Sequence, residues 1–229
     1  MPRIFTRPLW LAGLLLVATF IPIVAAAPLL YQIPAGQLTG DAIRFVAVQW
    51  VLFSHALAGI LFGLLGPLQF AGVLKRRFGR LHKITGRVFV AAGLLLGLSS
   101  LRLLAEFPDA STWVLVSARI AAGIGMSLAL IWAIVAIRHG NIAQHRAWMI
   151  RGYAVGMGSA TISLIMMPIF LITGEPMKGY AADVAFVASW GINIAIAEWA
   201  IRKAKPVVIK SPRKSQQPLP LPPLPSSLR

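Results

Sequence analysis

Six long apolar stretches constrain what this chain can fold into. They lie at about 8–30, 45–70, 88–106, 113–137, 148–173 and 184–201. A helix needs about 20 apolar residues to cross the ~30 Å hydrocarbon layer of a bilayer. Because 58% of the 229 residues are hydrophobic and only 12% are charged, a water-soluble fold of this size could not bury the apolar surface. The sequence therefore predicts an all-α, polytopic membrane bundle of about six transmembrane helices within residues 1–201.

The first stretch can also be interpreted as a signal peptide. It follows a short basic start, and Ala25, Ala26 and Ala27 are small residues of the kind found at cleavage sites. Its apolar run is longer than the ~7–15 residues of a signal-peptide core, and Pro28 follows the alanines directly. We therefore expect the first helix to be retained, with its removal as the alternative.

The 22 lysines and arginines lie mainly on one side of the predicted helices. The opposite loops carry only Arg44 and Lys178, together with the acidic residues Asp41, Glu106, Asp109, Glu175 and Asp183. This asymmetry is the positive-inside pattern, and it agrees with an even number of spans. We expect a multi-pass protein of the inner (plasma) membrane with both termini in the cytoplasm. The basic side would contact anionic lipid, so the net charge of +16 does not indicate a nucleic-acid partner.

The segment 202–229 combines basic residues with a proline run at Pro218, Pro220, Pro222, Pro223 and Pro225. This composition favours extended, unpacked chain. We predict a disordered cytoplasmic tail near anionic lipid. A docking site for a proline-reading protein is the alternative, and the sequence identifies no protein partner.

Small residues at four-residue spacing mark close helix packing in a bilayer, where apolar side chains gain little by leaving lipid. The second to fifth helices carry such stripes, which include Gly59, Gly63, Gly66, Gly86, Gly93, Gly97, Gly123, Ser127, Gly152, Gly156 and Ala160. We predict that these four helices form the core, with the first and sixth helices flanking it.

Ionisable residues at membrane depth are costly and mark candidate functional sites. Three of them, His55, Arg102 and Arg119, can share one layer in the outer half of the bundle. Two arginines beside a histidine suit an anionic or quinone-like ligand, or the propionates of a haem. The alternative is structural: Arg102 can reach toward Glu106, Arg119 toward the membrane surface, and His55 toward a neighbouring helix.

A second layer contains His82 and His145, each at the predicted cytoplasmic start of a helix, with His139 nearby. Two neutral imidazoles from different helices can ligate a haem iron. The chain has no cysteine, which excludes cysteine-ligated metal centres. Contact with lipid headgroups is the alternative for both histidines. A di-haem centre would also need a second histidine near His55, and the sequence shows no obvious one.

Two motifs carry a resemblance to a known family. The first is His55 followed by Gly66-Pro67-Leu68-Gln69-Phe70 and then Arg77, His82, Gly86 and Arg87; the second is His145-Arg146-Ala147-Trp148-Met149-Ile150-Arg151. Over about residues 45–160 the chain resembles the predicted bacterial membrane proteins of domain-of-unknown-function family 2306 (DUF2306). The resemblance implies a membrane location and a helical bundle, and it brings no assigned activity. Lys83 stands where the family pattern suggests arginine, which keeps the charge and loses bidentate geometry.

These observations lead to the hypothesis of a redox-associated membrane protein that binds haem b or a quinone. In this hypothesis His82 and His145 hold the haem iron, and His55, Arg102 and Arg119 bind the cofactor toward the outside. One alternative is a transporter or channel for a small anionic solute, which requires a polar track between the two layers. Another is a non-catalytic assembly or scaffold protein. The sequence has no phosphate-binding glycine loop, zinc-protease motif or nucleophile elbow, so it does not predict a soluble-type hydrolase.

Overall fold

A computed structural model describes residues 9–106 and 112–203 of the chain. The described residues form α1 (Leu9–Ala26), α2 (Leu29–Gln32), a 3-10 helix (Gly40–Val48), α3 (Gln49–Phe70), α4 (Gly72–Arg77), α5 (Gly79–Glu106), α6 (Trp113–Arg138), α7 (Ile142–Gly156), α8 (Gly158–Thr173) and α9 (Gly179–Arg202). These helices confirm the predicted all-α fold. Asp109 and the predicted tail from residue 204 onward lie outside the described residues.

Six helical segments are long and apolar enough to cross a membrane. They run over Gly13–Gln32, Ala42–Phe70, Gly79–Glu106, Trp113–Arg138, Ile142–Thr173 and Gly179–Arg202. Two of the six are composite, because the 3-10 helix leads directly into α3 and α7 leads into α8 through Met157 alone. The predicted number of spans is therefore confirmed.

Two helices begin earlier than the apolar pattern indicates. α5 starts at Gly79 and not near residue 88, and α7 starts at Ile142 and not near residue 148. Lysine and arginine are good helix formers, and their long side chains can extend from a helix end to water. The charged residues that end an apolar stretch therefore continue the helix. At α7 the side chain of Asn141 caps the new start by accepting a hydrogen bond from Gln144 N at 3.0 Å.

Side chains from α3, α5, α6 and α7 fill the centre of the bundle. Phe62, Phe89 and Leu130 are each 2% exposed or less, and Tyr153 is 6% exposed. The rings of Phe62 and Phe89 stack with their centroids 4.4 Å apart. Close approach depends on glycine: a Cβ on Gly93 would meet Phe62 and Leu130. These contacts confirm a core formed by the second to fifth spans.

The first and last spans flank this core. α1 packs against α3 and α8, and α9 packs against α6, α7 and α8. α9 is fixed by Glu198, whose two carboxylate oxygens accept hydrogen bonds from Arg151 Nε at 2.6 Å and Nη2 at 3.1 Å. Arg151 also lies over the Trp148 ring, 4.7 Å from its centroid. The bidentate ion pair ties the last span to the core.

The two ends of the bundle differ in charge. The end where α3 leads into α5 carries the exposed residues Lys75, Arg76, Arg77, Arg80 and Lys83, and we call it the basic face. The opposite face contains the junctions between α1 and α3, α5 and α6, and α8 and α9.

Candidate functional site

A cavity of about 300 Å³ opens within the half of the bundle nearer the opposite face. We call it the large cavity. Its lining comes from the 3-10 helix, α3, α5, α6, the α7–α8 junction and α9. The polar side chains on it belong to Arg44, His55, Ser100, Arg119 and Ser159, and apolar groups such as Leu103, Met126, Phe186 and Trp190 form much of the rest. A volume of this size lies at the lower end of the range of small-molecule sites in proteins.

The hydrogen bonds around His55 favour one tautomer. His55 Nδ1 lies 2.9 Å from Ser99 Oγ, and Ser99 Oγ donates its single proton to Leu96 O at 3.2 Å. With that proton on Leu96 O, Ser99 Oγ accepts from His55 Nδ1–H. The neutral ring is left with Nε2 as a hydrogen-bond acceptor. A histidine that lines a cavity in this form can receive a proton from a ligand hydroxyl.

Two arginines bring positive charge to the large cavity. Arg119 lies over the Phe186 ring at 5.4 Å from its centroid, and Arg44 lies over the Phe45 ring at 4.9 Å. Asp183 is close enough to Arg119 for their charges to interact. The Asp183 carboxylate is 8% exposed and accepts a hydrogen bond from the Thr112 backbone N–H at 3.2 Å. The site therefore combines two cations with one buried carboxylate.

Arg102 has a different environment from the other predicted site residues. It forms an ion pair with Glu106 at 2.6 Å, and its side chain is 51% exposed. Arg102 does not line the large cavity, whereas Arg44 does. From the sequence, Arg44 is expected in a loop, because the predicted second apolar stretch begins at Phe45. The structure places Arg44 in the 3-10 helix, within a continuous span from Ala42 to Phe70.

A second cavity of about 140 Å³ lies between α1, α3, α5 and the α7–α8 junction. We call it the small cavity. Four residues line both cavities: His55, Leu96, Gly156 and Ser159. The remainder of its lining includes Pro22 and Ile23 from α1 and Phe62 from α3. His55 thus lies where the two cavities meet.

The helix is interrupted where the cavities meet. α7 ends at Gly156 and α8 begins at Gly158, with Met157 between them. A Cβ on Gly156 would collide with the Phe62 ring, and a Cβ on Gly158 would collide with the Trp190 indole. Proline commonly breaks or kinks a helix, but α8 continues through Pro168. Aromatic rings therefore lie against the backbone on both sides of the interruption.

The histidines near the basic face have a different set of partners. One orientation of the Gln69 amide gives a hydrogen-bond partner to each neighbouring polar group. In this orientation Oε1 accepts from Gly86 N at 3.2 Å, and Nε2 donates to His82 Nδ1 at 3.2 Å and to His82 O at 3.3 Å. His145 Nδ1 lies 2.8 Å from Ala133 O and donates to it. Gln69 therefore joins the end of α3 to the first turns of α5, and His145 joins α7 to α6.

This arrangement gives no support to a haem iron held between His82 and His145. With the Gln69 amide in this orientation, the proton of the neutral His82 ring lies on Nε2, and a metal at Nε2 would require the other tautomer. Phe89 and Leu130, both 0% exposed, fill the core beside this layer. Within residues 9–106 and 112–203, no cluster of three or more His, Cys, Asp or Glu side chains could hold a metal ion.

Comparison with known families supports the resemblance seen in the motifs. The family model described as "Predicted membrane protein (DUF2306)" matches residues 52–201, well over half of the chain. The chain belongs to DUF2306. No curated protein and no solved structure matches it. His55, Arg119 and the α7–α8 junction all lie inside the region that matches DUF2306, and Arg44 lies before it.

The DUF2306 motif residues meet at the α3–α5–α7 contact. Gly66 lies against the Tyr153 ring, where a Cβ would collide with it. Phe70 packs on the same ring with centroids 5.1 Å apart. Gly86 leaves room for the Gln69 amide, because a Cβ there would lie 3.0 Å from the end of the Gln69 side chain. These motif positions therefore set the spacing of three core helices.

Proposed function

We propose that this DUF2306 protein is a redox-associated membrane protein that binds a quinone in the large cavity. The observation that carries the proposal is the combination of His55, Arg44 and Arg119 around a largely apolar cavity of about 300 Å³. The cavity lies within helices that are long and apolar enough to cross the membrane. A ligand that reaches this cavity from lipid must be apolar in most of its surface and must offer a few polar atoms.

A quinone ring meets these requirements. Its two carbonyl oxygens are hydrogen-bond acceptors, which match the donors of Arg44 and Arg119. Its reduced form carries hydroxyl groups, which match the acceptor His55 Nε2. Apolar walls that include Phe186 and Trp190 suit the faces of the ring. When bound, a quinone supplies reversible exchange of two electrons and two protons.

The chain contributes binding, orientation and proton exchange to this chemistry. His55 would take a proton at Nε2 from a quinol hydroxyl, and Ser99 would hold the imidazole in the required tautomer. Arg119 and Arg44 would orient the carbonyl oxygens. The Asp183 carboxylate near Arg119 offsets part of the positive charge and so favours a neutral ligand over an anion.

The structural observations favour the quinone over the other hypotheses. Haem b has no supporting observation among the described residues. A transporter or channel needs a polar track from His55 to the basic face, and the residues between are Phe62, Phe89 and Leu130, each 2% exposed or less. No observation on the described residues favours a scaffold role.

Tryptophan fluorescence tests the proposal, because quinones quench nearby indoles and Trp190 lines the cavity. Titration of the purified protein with a soluble benzoquinone should give saturable quenching that Trp190→Phe largely removes. His55→Leu removes a hydrogen bond to the ligand and should weaken binding roughly 5- to 150-fold, equivalent to about 1–3 kcal/mol. His139→Leu, at an exposed position outside both cavities, is the matched control. Absence of saturable quenching in the wild type would remove the proposal.

We also propose that the protein lies in the inner membrane with its basic face in the cytoplasm and in contact with anionic lipid. The positive-inside rule supports this orientation. Because the chain has no cysteine, single cysteines can report it directly. In intact cells an impermeant maleimide should label Lys178→Cys and leave Lys83→Cys unlabelled. The reverse pattern would invert the orientation.

A further inference from the structure

We infer that the small cavity holds the first isoprenoid unit of a lipid quinone tail, so that the protein selects prenylated quinones. The inference deepens the proposed function and rests on it. It follows from the junction of the two cavities at His55 and from the apolar character of the small cavity.

The two cavities are neighbours that share four lining residues. Both are lined by His55, Leu96, Gly156 and Ser159. A ring in the large cavity with a polar atom on His55 would therefore have a substituent next to the small cavity. A prenyl tail is attached directly to the ring of a lipid quinone, which places its first carbons at this junction.

The small cavity suits a hydrocarbon group. Pro22, Ile23 and Ala26 of α1 form one wall, and Gly63 of α3 contributes no side chain to the other. Thr19 has a polar atom there, but its Oγ1 donates to Leu16 O at 2.9 Å within α1. Apolar cavities of about 150 Å³ accept a benzene-sized molecule, so a cavity of about 140 Å³ accommodates a five-carbon unit.

α1 also provides a short route from this cavity to lipid. The helix packs on α3 and α8 along one side. Its other side is exposed, with Val17 70%, Phe20 64% and Val24 52% exposed. The cavity is thus separated from the lipid-facing surface by one helix. The remainder of a long tail can leave the bundle beside α1, where hydrocarbon is the surrounding solvent.

The test compares two quinones that differ only in the tail: 2,3-dimethoxy-5-methyl-1,4-benzoquinone and the same ring with one prenyl unit. Gly59→Leu fills the small cavity, and the fold should tolerate it because the new Cβ would meet only Leu96 Cδ1, at 3.6 Å. Gly125→Leu is the matched control, since Gly125 has nothing within 4 Å of its Cβ position. Ala26→Leu fills the same cavity from α1 and provides a second variant.

We expect Gly59→Leu and Ala26→Leu to weaken binding of the prenylated quinone about tenfold. Both variants should bind the tail-less ring as tightly as the wild type does. The Gly125→Leu control should bind both quinones with unchanged affinity. Equal loss of both quinones, or loss of neither, would overturn the inference and leave the proposed function standing. If neither quinone binds the wild-type protein, the proposed function fails and the inference fails with it.

Discussion

Replacement of Gly66 with alanine tests the tightest contact between α3 and α7. A Cβ at this position would lie 2.8 Å from Tyr153 Cδ2 and 2.9 Å from Cζ, and it would collide with Cε2. Carbon atoms prefer separations of about 3.5–4.0 Å. The two helices must therefore separate, or the tyrosine ring must move by ~0.7 Å or more.

The Tyr153 ring has little freedom to move. Its centroid lies 5.6 Å from that of Phe62, 5.1 Å from that of Phe70 and 6.0 Å from that of Phe89. Overpacking of a well-filled core costs about 1–3 kcal/mol. Because rings surround the tyrosine on three sides, we expect Gly66→Ala to lower the free energy of unfolding by about 2–3 kcal/mol.

Unfolding by SDS in mixed micelles, followed by circular dichroism, measures this change. Gly125→Ala is the control, since its Cβ would meet nothing within 4 Å. The double variant Gly66→Ala/Tyr153→Leu should be about 1–2 kcal/mol more stable than the sum of the two single-variant losses predicts. A Gly66→Ala protein within about 0.5 kcal/mol of the wild type would refute the argument from steric overlap.

Three further predictions concern the helix contacts and use the same unfolding assay unless stated. Gln69→Leu should lower the free energy of unfolding by about 1–3 kcal/mol, because the amide joins α3 to the first turns of α5; an unchanged midpoint would contradict this role. Glu198→Gln should cost about 1 kcal/mol or less, since both partners of its ion pair are about one-third exposed. A double-mutant cycle with Arg151→Met isolates that energy, and a coupling near zero would show that the pair is not stabilising. Gly158→Ala should displace the Trp190 indole and weaken quinone quenching, and an emission spectrum identical to that of the wild type would argue against the contact.

Much of the fold could be predicted because, in a membrane protein, the local pattern of apolar residues largely determines where the helices lie. A stretch of about 20 apolar residues has few alternatives to a spanning helix. Small residues at regular spacing then identified the four core helices, because helices in lipid associate through close backbone approach. Gly66 and Gly156 illustrate this rule, since aromatic rings occupy the space where their side chains would lie.

The candidate site could be predicted only in part. His55 and Arg119 line one cavity. Both could be identified as candidate site residues because they are ionisable and lie within apolar stretches. Ser99 as the partner of His55, and the position of Arg44, depend on how separate helices rotate about their axes, and sequence spacing does not determine rotation. The ring contacts on either side of Met157 likewise come from other helices, α3 and α9. Ion pairing of Arg102 with Glu106 was foreseeable as the alternative role, because the residues are four apart on one helix.

The stacked rings of Phe62 and Phe89 also bear on the electrical properties of the protein. Together with Leu130 they form a buried apolar layer between His55 and the basic face. A charge in such a layer would have to leave water, at a cost far above thermal energy. Under the proposed function, a proton taken up at His55 would therefore exchange through the opposite face and not through this layer. Proton exchange at the large cavity would then carry no charge from one face of the bundle to the other.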